Sequence, residues 1–112
     1  MRQGAYANLS YSGDMNDIVS ILAALAEPTR FAAMRLLWDG AEHCVCELME
    51  KTDASQSRMS RHMAALKAAG LVVHRRDAQR VHYRRNPVLS SEIVAIVDAV
   101  MAALSMAERR AA

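Results

Sequence analysis

Residues 55–86 read SQSRMSRHMAALKAAGLVVHRRDAQRVHYRRN, and within this stretch the apolar period changes once. Up to Gly70 the side chains Met59, Met63 and Leu66 recur at helical spacing, with Ser55 placed to cap the helix and Gly70 to stop it. Beyond Gly70, LVVHRRD (71–77) and RVHYRRN (80–86) are two short β-rich runs around Ala78 and Gln79, the pattern of a hairpin. Many such turns use glycine to reach positive φ, and this one has none, so its type stays open. Pro87 ends the second strand.

Upstream of Ser55, Val45 to Lys51 reads as a short helix and Thr52 to Ala54 as a turn. Two short helices, a tight turn and a basic hairpin make a winged helix-turn-helix. The helix after the turn is then the recognition helix. Its first turns present Ser55, Gln56, Ser57, Arg58, Ser60, Arg61 and His62. A helix N-terminus attracts phosphate through unpaired N–H groups and its dipole, and Gln, Ser and Arg side chains reach base edges in the major groove. The hairpin carries Arg75, Arg76, Arg80, Arg84 and Arg85, which suit phosphate or minor-groove contact and supply affinity rather than readout.

Charge supports the same division. From Ser55 to Arg85 there are eight basic side chains against Asp77 alone, in a chain whose formal net charge is +2. The remainder is therefore net acidic, and one basic segment on an acidic body is the footprint of a polyanion-binding surface.

Three further helices complete the pattern. Ile18, Ile21, Leu22 and Leu25 form one helical stripe behind an Asp14 N-cap. Pro28 suits the first turn of a second helix, with Phe31, Met34, Leu37 and Trp38 inward and Gly40 as its stop. A last helix from about Ser90 carries Ile93, Ile96, Val97, Val100 and Leu104. Both terminal stripes are too apolar for solvent, so Ile18, Leu22, Leu25, Ile93, Ile96, Val97, Val100 and Leu104 are expected at a two-fold interface. At 112 residues the chain is one domain, small for a core without a partner. The expected class is mainly α with a small β-hairpin, in the order ααααββα, homodimeric, with residues 14–110 as the domain and 1–13 as a loose arm. No apolar run approaches the roughly 18 residues that cross a bilayer, and MRQGAYANLSYSGD lacks a signal-peptide core, so a cytoplasmic location is expected.

The two cysteines, Cys44 and Cys46, lie one residue apart in EHCVCELME (42–50). In a reducing compartment they read as ligands or sensors before a bridge. A thiolate is the ligand form, its pKa falls near a helix N-terminus, and it prefers soft centres. In an intact helix, residues i and i+2 point about 200° apart. On that geometry the two thiols grip one atom only if the helix start unwinds, and a Cys-X-Cys bridge is disfavoured because the Cβ vectors diverge.

LAEPTRFAAMRLL and CVCELMEKTDASQSRMSRHMAALKAAGLVVHRRDAQRVHYRRN together resemble the ArsR/SmtB family of metal- and metalloid-responsive repressors, over roughly residues 15–105. The resemblance implies homodimeric winged helices whose first and last helices pair across the two-fold, and an inducer that releases double-stranded operator DNA. CVC at the start of the third helix is similar to the arsenite- and antimonite-sensing subgroup. It implies As(III) or Sb(III) as inducer and Cys44 and Cys46 as the first two ligands of C-V-C-x-x-C. The third cysteine position falls on Met49, a departure from the tri-thiolate pattern. The third donor is then His43, a small thiol such as glutathione, or hydroxide from solvent.

The family's other sites lack their residues here. The last helix has Glu92 and Asp98 but no His for a zinc site, and neither the second helix, the last helix nor the arm has a cysteine. Cu(I), Cd(II) and thiol redox chemistry remain alternatives for the same pair, and a metal buffer is the alternative from another class. No catalytic constellation is arranged, so neither an enzyme, a catalytic cofactor, a membrane nor a further protein partner is expected.

Overall fold

Pro28 and Glu27 start the second helix together: Pro28 fixes φ at the first helical position, and the Glu27 carboxylate accepts the Arg30 backbone N–H at 2.8 Å. Local chemistry of this kind sets each boundary in the computed structural model, which describes residues 15–111. The elements are α1 (Met15–Leu25), α2 (Pro28–Leu37), β1 (His43–Cys44), α3 (Val45–Thr52), α4 (Gln56–Ala68), β2 (Val72–Asp77), β3 (Arg80–Arg85) and α5 (Ser91–Ala111). The expected arm at 1–13 and the Asp14 cap lie outside the described residues.

The turn between α3 and α4 follows from Asp53, whose left-handed φ of 55° ends α3 while its N–H bonds the Met49 carbonyl. Ser55 then caps α4 by accepting the Arg58 N–H at 3.3 Å. Gly70, at φ +83°, closes α4. The Gly70 N–H returns to the Lys67 carbonyl and the Leu71 N–H to the Leu66 carbonyl, turning the chain into β2. Met59, Met63 and Leu66 on α4 have no exposed surface, and they pack with Leu48, Met34, Leu37, Ile21, Ile93 and Val97 in one core.

The sheet has one strand more than the sequence pattern implies. β2 and β3 form the expected antiparallel hairpin, with Asp77 opposite Arg80, and β1 adds to the outer side of β3 in the order β1-β3-β2. The added strand has only two residues, His43 opposite Tyr83 and Cys44 opposite His82, too few to show alternation in sequence. Ala78 takes the positive φ that the two-residue turn requires, at 55°.

Asn86 anchors the base of the wing. It is buried, its Nδ2 donates to the Gly70 carbonyl and its Oδ1 accepts the Val88 N–H. Among the described residues no helix is long and apolar enough to cross a membrane.

Candidate nucleic-acid interface and thiol site

The exposed side of α4 begins at its N-terminus, where Ser55, Gln56, Ser57, Arg58, Ser60 and Arg61 are all solvent-exposed while Met59 points inward. Ser55 is partly committed, because its hydroxyl caps the helix. His62 is corrected. Its ring turns back onto the α1–α2 corner, with Nδ1 at 3.2 Å from Arg30 Nη1 and 3.7 Å from Glu27 Oε1, and its side chain is only 17 % exposed. Arg30 in turn donates to the Ala24 carbonyl, so His62 ties α4 to the helices behind it. Burial raises the Glu27 carboxyl, but the Arg30 N–H and the nearby His62 outweigh it and hold the group below its ordinary range.

The wing arginines separate by position. Arg76 and Arg80, at the tip, are exposed. Arg75 is held within the chain: Nε and Nη2 donate to the two carboxylate oxygens of Glu42 at 2.7 and 2.6 Å. The same carboxylate lies 3.9 Å from His82 Nδ1. Arg84 is half-buried. Arg85, at the base, stacks 4.1 Å over the Trp38 ring and donates to the Trp38 carbonyl. Trp38 Nε1 donates to Asp98 on α5 at 2.6 Å, so this chain of contacts joins α2, the wing and α5. Glu42, Asn86 and the Arg85–Trp38 stack were missed from sequence, and only the alternation of side chains along β3 hinted that Arg85 faces inward. Tyr83 is buried against His74, with ring centroids 5.7 Å apart. Burial pushes the Tyr83 phenol up, and burial, reinforced by Lys67 and Arg76, pushes His74 down.

Cys44 and Cys46 overturn the geometric expectation. Cys44 is not helical: at φ −76° and ψ 159° it is the extended N-cap of α3, and only Cys46 lies inside the helix. The 200° divergence of i and i+2 therefore does not apply. The Cα atoms are 5.3 Å apart and the structure joins the two sulfurs in a disulfide, with α3 intact. The bridge does not need the helix start to unwind. The Cys44 sulfur also accepts the Glu47 N–H at 3.4 Å, and Glu47 Oε1 accepts the Cys44 N–H at 3.0 Å.

His43, one of the expected third donors, stands apart from the cavity that the thiols line. Adjacent strand residues point to opposite faces, and His43 lines a separate cavity with Arg35, Asp39 and Lys51. Its Nδ1 lies 3.6 Å from Glu47 Oε1. Among the described residues no group of three or more His, Cys, Asp and Glu side chains is close enough to hold an ion.

The two candidate sites are continuous. Cys44 and Cys46 line a cavity of about 620 Å³ together with Gln56 and Ser60 of α4 and Arg76 and Arg80 of the wing. Val45, Met49, Val81 and Tyr83 give it an apolar floor. One cavity thus touches the thiols, the exposed N-terminal turns of α4 and the tip of the wing.

The terminal stripes divide between two jobs. Leu25, Ile93 and Val97 are buried inside the single chain, and Ile18 packs against the same core. Leu22 and Ile96 stay exposed, at 46 % and 36 %, as do Val19 and Met106, while Val100 and Leu104 are half-buried. Leu25, Ile93 and Val97 therefore serve the chain's own core.

Residues 27–73 match the family described as bacterial regulatory protein, arsR family. The chain is 36 % identical over 80 residues to the arsenical resistance operon repressor of Escherichia coli, covering 71 % of this chain and 68 % of that one. Among solved structures it is similar to HlyU from Vibrio cholerae, with a TM-score of 0.68 and 32 % identity over 80 % of this chain and 94 % of that one. A homodimeric winged helix-turn-helix DNA-binding domain from Mycobacterium bovis shares the fold, with a TM-score of 0.69 and 21 % identity over 89 % of this chain and 95 % of that one.

Proposed function

The chain belongs to the arsR family of bacterial regulatory proteins and is a winged helix-turn-helix transcriptional repressor, and on that premise we propose that As(III) or Sb(III) is its inducer. In this reading a homodimer places two α4 helices in successive major grooves of operator DNA, about one helical turn apart. Gln56, Ser57, Arg58, Ser60 and Arg61 face the bases and adjacent phosphates, and Arg76 and Arg80 hold the backbone beside them. The homodimeric relative with the same fold and the exposed Leu22 and Ile96 support the dimer.

The reduced Cys44 and Cys46 are the ligands. Soft thiolates suit a trivalent metalloid, and the pair supplies two sulfurs rather than three. The observation that carries the reading is the shared cavity: a centre bound by Cys44 and Cys46 sits against Gln56, Ser60, Arg76 and Arg80, the groups that meet DNA. Ligation also draws on the Cys44 sulfur that caps α3, and α3 packs directly on α4. Inducer and operator then oppose each other through one free energy of coupling, so DNA weakens As(III) binding by the factor that As(III) weakens DNA binding.

The test is a DNA-release titration with As(III), Sb(III), Zn(II), Cd(II), Cu(I) and peroxide. Release by As(III) or Sb(III) from the native protein, and retention by the Cys44→Ser, Cys46→Ser double variant, are expected. Release of the double variant by As(III) would end the reading. The disulfide between Cys44 and Cys46 favours one second reading, a repressor switched by oxidation of the same pair. Under it peroxide, and not As(III), releases the DNA.

A further inference from the structure

Trivalent arsenic makes three bonds, and the inducer site proposed above accounts for two. His43 faces another cavity, and Met49 offers a neutral thioether, a poor match beside thiolates. What lies beside the sulfurs is space with a charge on its rim. The cavity of about 620 Å³ is far larger than a hydroxide needs, and Arg76 and Arg80 border it. Among the described residues neither arginine makes an ion pair, in contrast to Arg75, which Glu42 and Asp77 engage.

Resting on the As(III) reading, we propose that the third ligand is the sulfur of a small anionic thiol from solution, whose carboxylate is held by Arg76 and Arg80. Guanidinium groups match carboxylates in two-point contact, and the apolar floor formed by Val45, Met49 and Val81 takes the carbon chain between sulfur and carboxylate. The bond balance closes without an oxidant. The disulfide is first reduced by two molecules of the thiol, which leave joined as their own disulfide. As(OH)3 then exchanges three hydroxyls for the sulfurs of Cys44, Cys46 and one further thiol. Each S–H proton departs with a hydroxyl as water, three waters in all, and arsenic stays trivalent. Arg76 and Arg80 thereby exchange a DNA phosphate for the carboxylate of the inducer complex, so the wing is drawn from DNA by the ligand itself.

The test uses the DNA-free full chain, reduced with a phosphine that is then removed. As(III) binding is followed by arsenic–thiolate ultraviolet absorbance and by X-ray absorption. Three thiols are compared: 3-mercaptopropionate (anionic), 2-mercaptoethanol (neutral) and cysteamine (cationic). The anionic thiol should raise As(III) affinity about tenfold more than the neutral one, as expected for one charge-assisted contact, with the cationic thiol weakest. Three sulfurs should surround the arsenic. In the Arg76→Gln, Arg80→Gln double variant the anionic and neutral thiols should act alike. Equal effects of the three thiols on the native chain, or a preference that survives in the double variant, overturns the proposal. Absence of arsenic–thiolate absorbance in every arm, the thiol-free one included, overturns the inducer reading beneath it.

Discussion

Cys44 and Glu47 cap each other: the Cys44 sulfur accepts the Glu47 N–H at 3.4 Å while Glu47 Oε1 accepts the Cys44 N–H at 3.0 Å. The arrangement is a capping box with sulfur in the place of a hydroxyl. The residue proposed as a ligand is therefore also a structural one, and substitutions at Cys44 have to separate the two roles.

Serine separates them. In reduced protein Cys44→Ser should keep α3 and operator binding near native, because serine is among the best N-caps, whereas Cys44→Ala should cost about 1 kcal/mol. Both should lose release by As(III). Urea denaturation alongside the DNA-release assay checks this, and equal destabilisation by Ser and Ala would mean that the sulfur does not cap.

The proposed DNA face divides into residues expected to read and residues expected to hold. Gln56→Ala and Arg61→Ala should each relax sequence preference by about 1–3 kcal/mol. Arg80→Ala should weaken specific and random DNA alike and lower the salt slope by about one. Arg75→Ala should change DNA binding far less, and should cost up to about 1 kcal/mol of stability through its ion pair with Glu42. Fluorescence anisotropy on operator and random duplexes over a salt series distinguishes them. Equal losses for all four on both DNAs would contradict the assignment of α4.

Much of this architecture is legible in sequence because it rests on local signals. Pro28, Ser55 and Gly70 each act within a turn of their own position, and the switch from helical to strand period at Gly70 fixes the wing. The parts that sequence does not show are set by residues far apart in the chain. Nothing near Arg75 in sequence announces its partner Glu42, 33 residues earlier. His62 is claimed by Arg30, 32 residues earlier. β1 is visible only as the partner of β3, and because it holds Cys44 extended, it changes the chemistry available to the thiol pair. Likewise the stripes on α1 and α5 announce apolar contact without saying which chain supplies it.

The tip of the wing holds a residue out of its preferred conformation. Ala78 has a φ of 55°, where a side chain costs roughly 1 kcal/mol that glycine does not incur. Ala78→Gly should stabilise the chain by up to about 1 kcal/mol, and Ala78→Val should destabilise it by more than that. A thermal midpoint that falls with glycine would show that the turn is not limited by φ.

His74 gives the stability of the wing a pH dependence. Burial, with help from Lys67 and Arg76, holds its pKa below the ordinary 6.5, and its Nδ1 is buried without a hydrogen-bond partner among the described residues. The unfolded chain therefore binds a proton more readily than the folded one below about pH 6.5. Stability present at neutral pH is lost as pH falls from 6.5 through the folded pKa. His74→Phe, which keeps a ring beside Tyr83, should flatten this acid-side loss when urea midpoints are compared between about pH 7.5 and 5. Identical pH profiles for the two proteins would remove His74 as the cause.

The two faces of α1 and α5 make opposite predictions for substitutions of one kind. Val97 and Ile21 are buried in the chain's own core, so Val97→Glu should unfold the protein, because a buried unpaired carboxylate has nothing to offset its desolvation. Leu22 and Ile96 are exposed in the single chain. The Leu22→Glu, Ile96→Glu double variant should therefore keep its helical circular dichroism and sediment as a monomer. It should also lose most affinity for a two-half-site operator while a single half-site is bound as before, because only the dimer sets two α4 helices one DNA turn apart. A double variant that still sediments as a dimer at micromolar concentration would place the two-fold elsewhere on the surface.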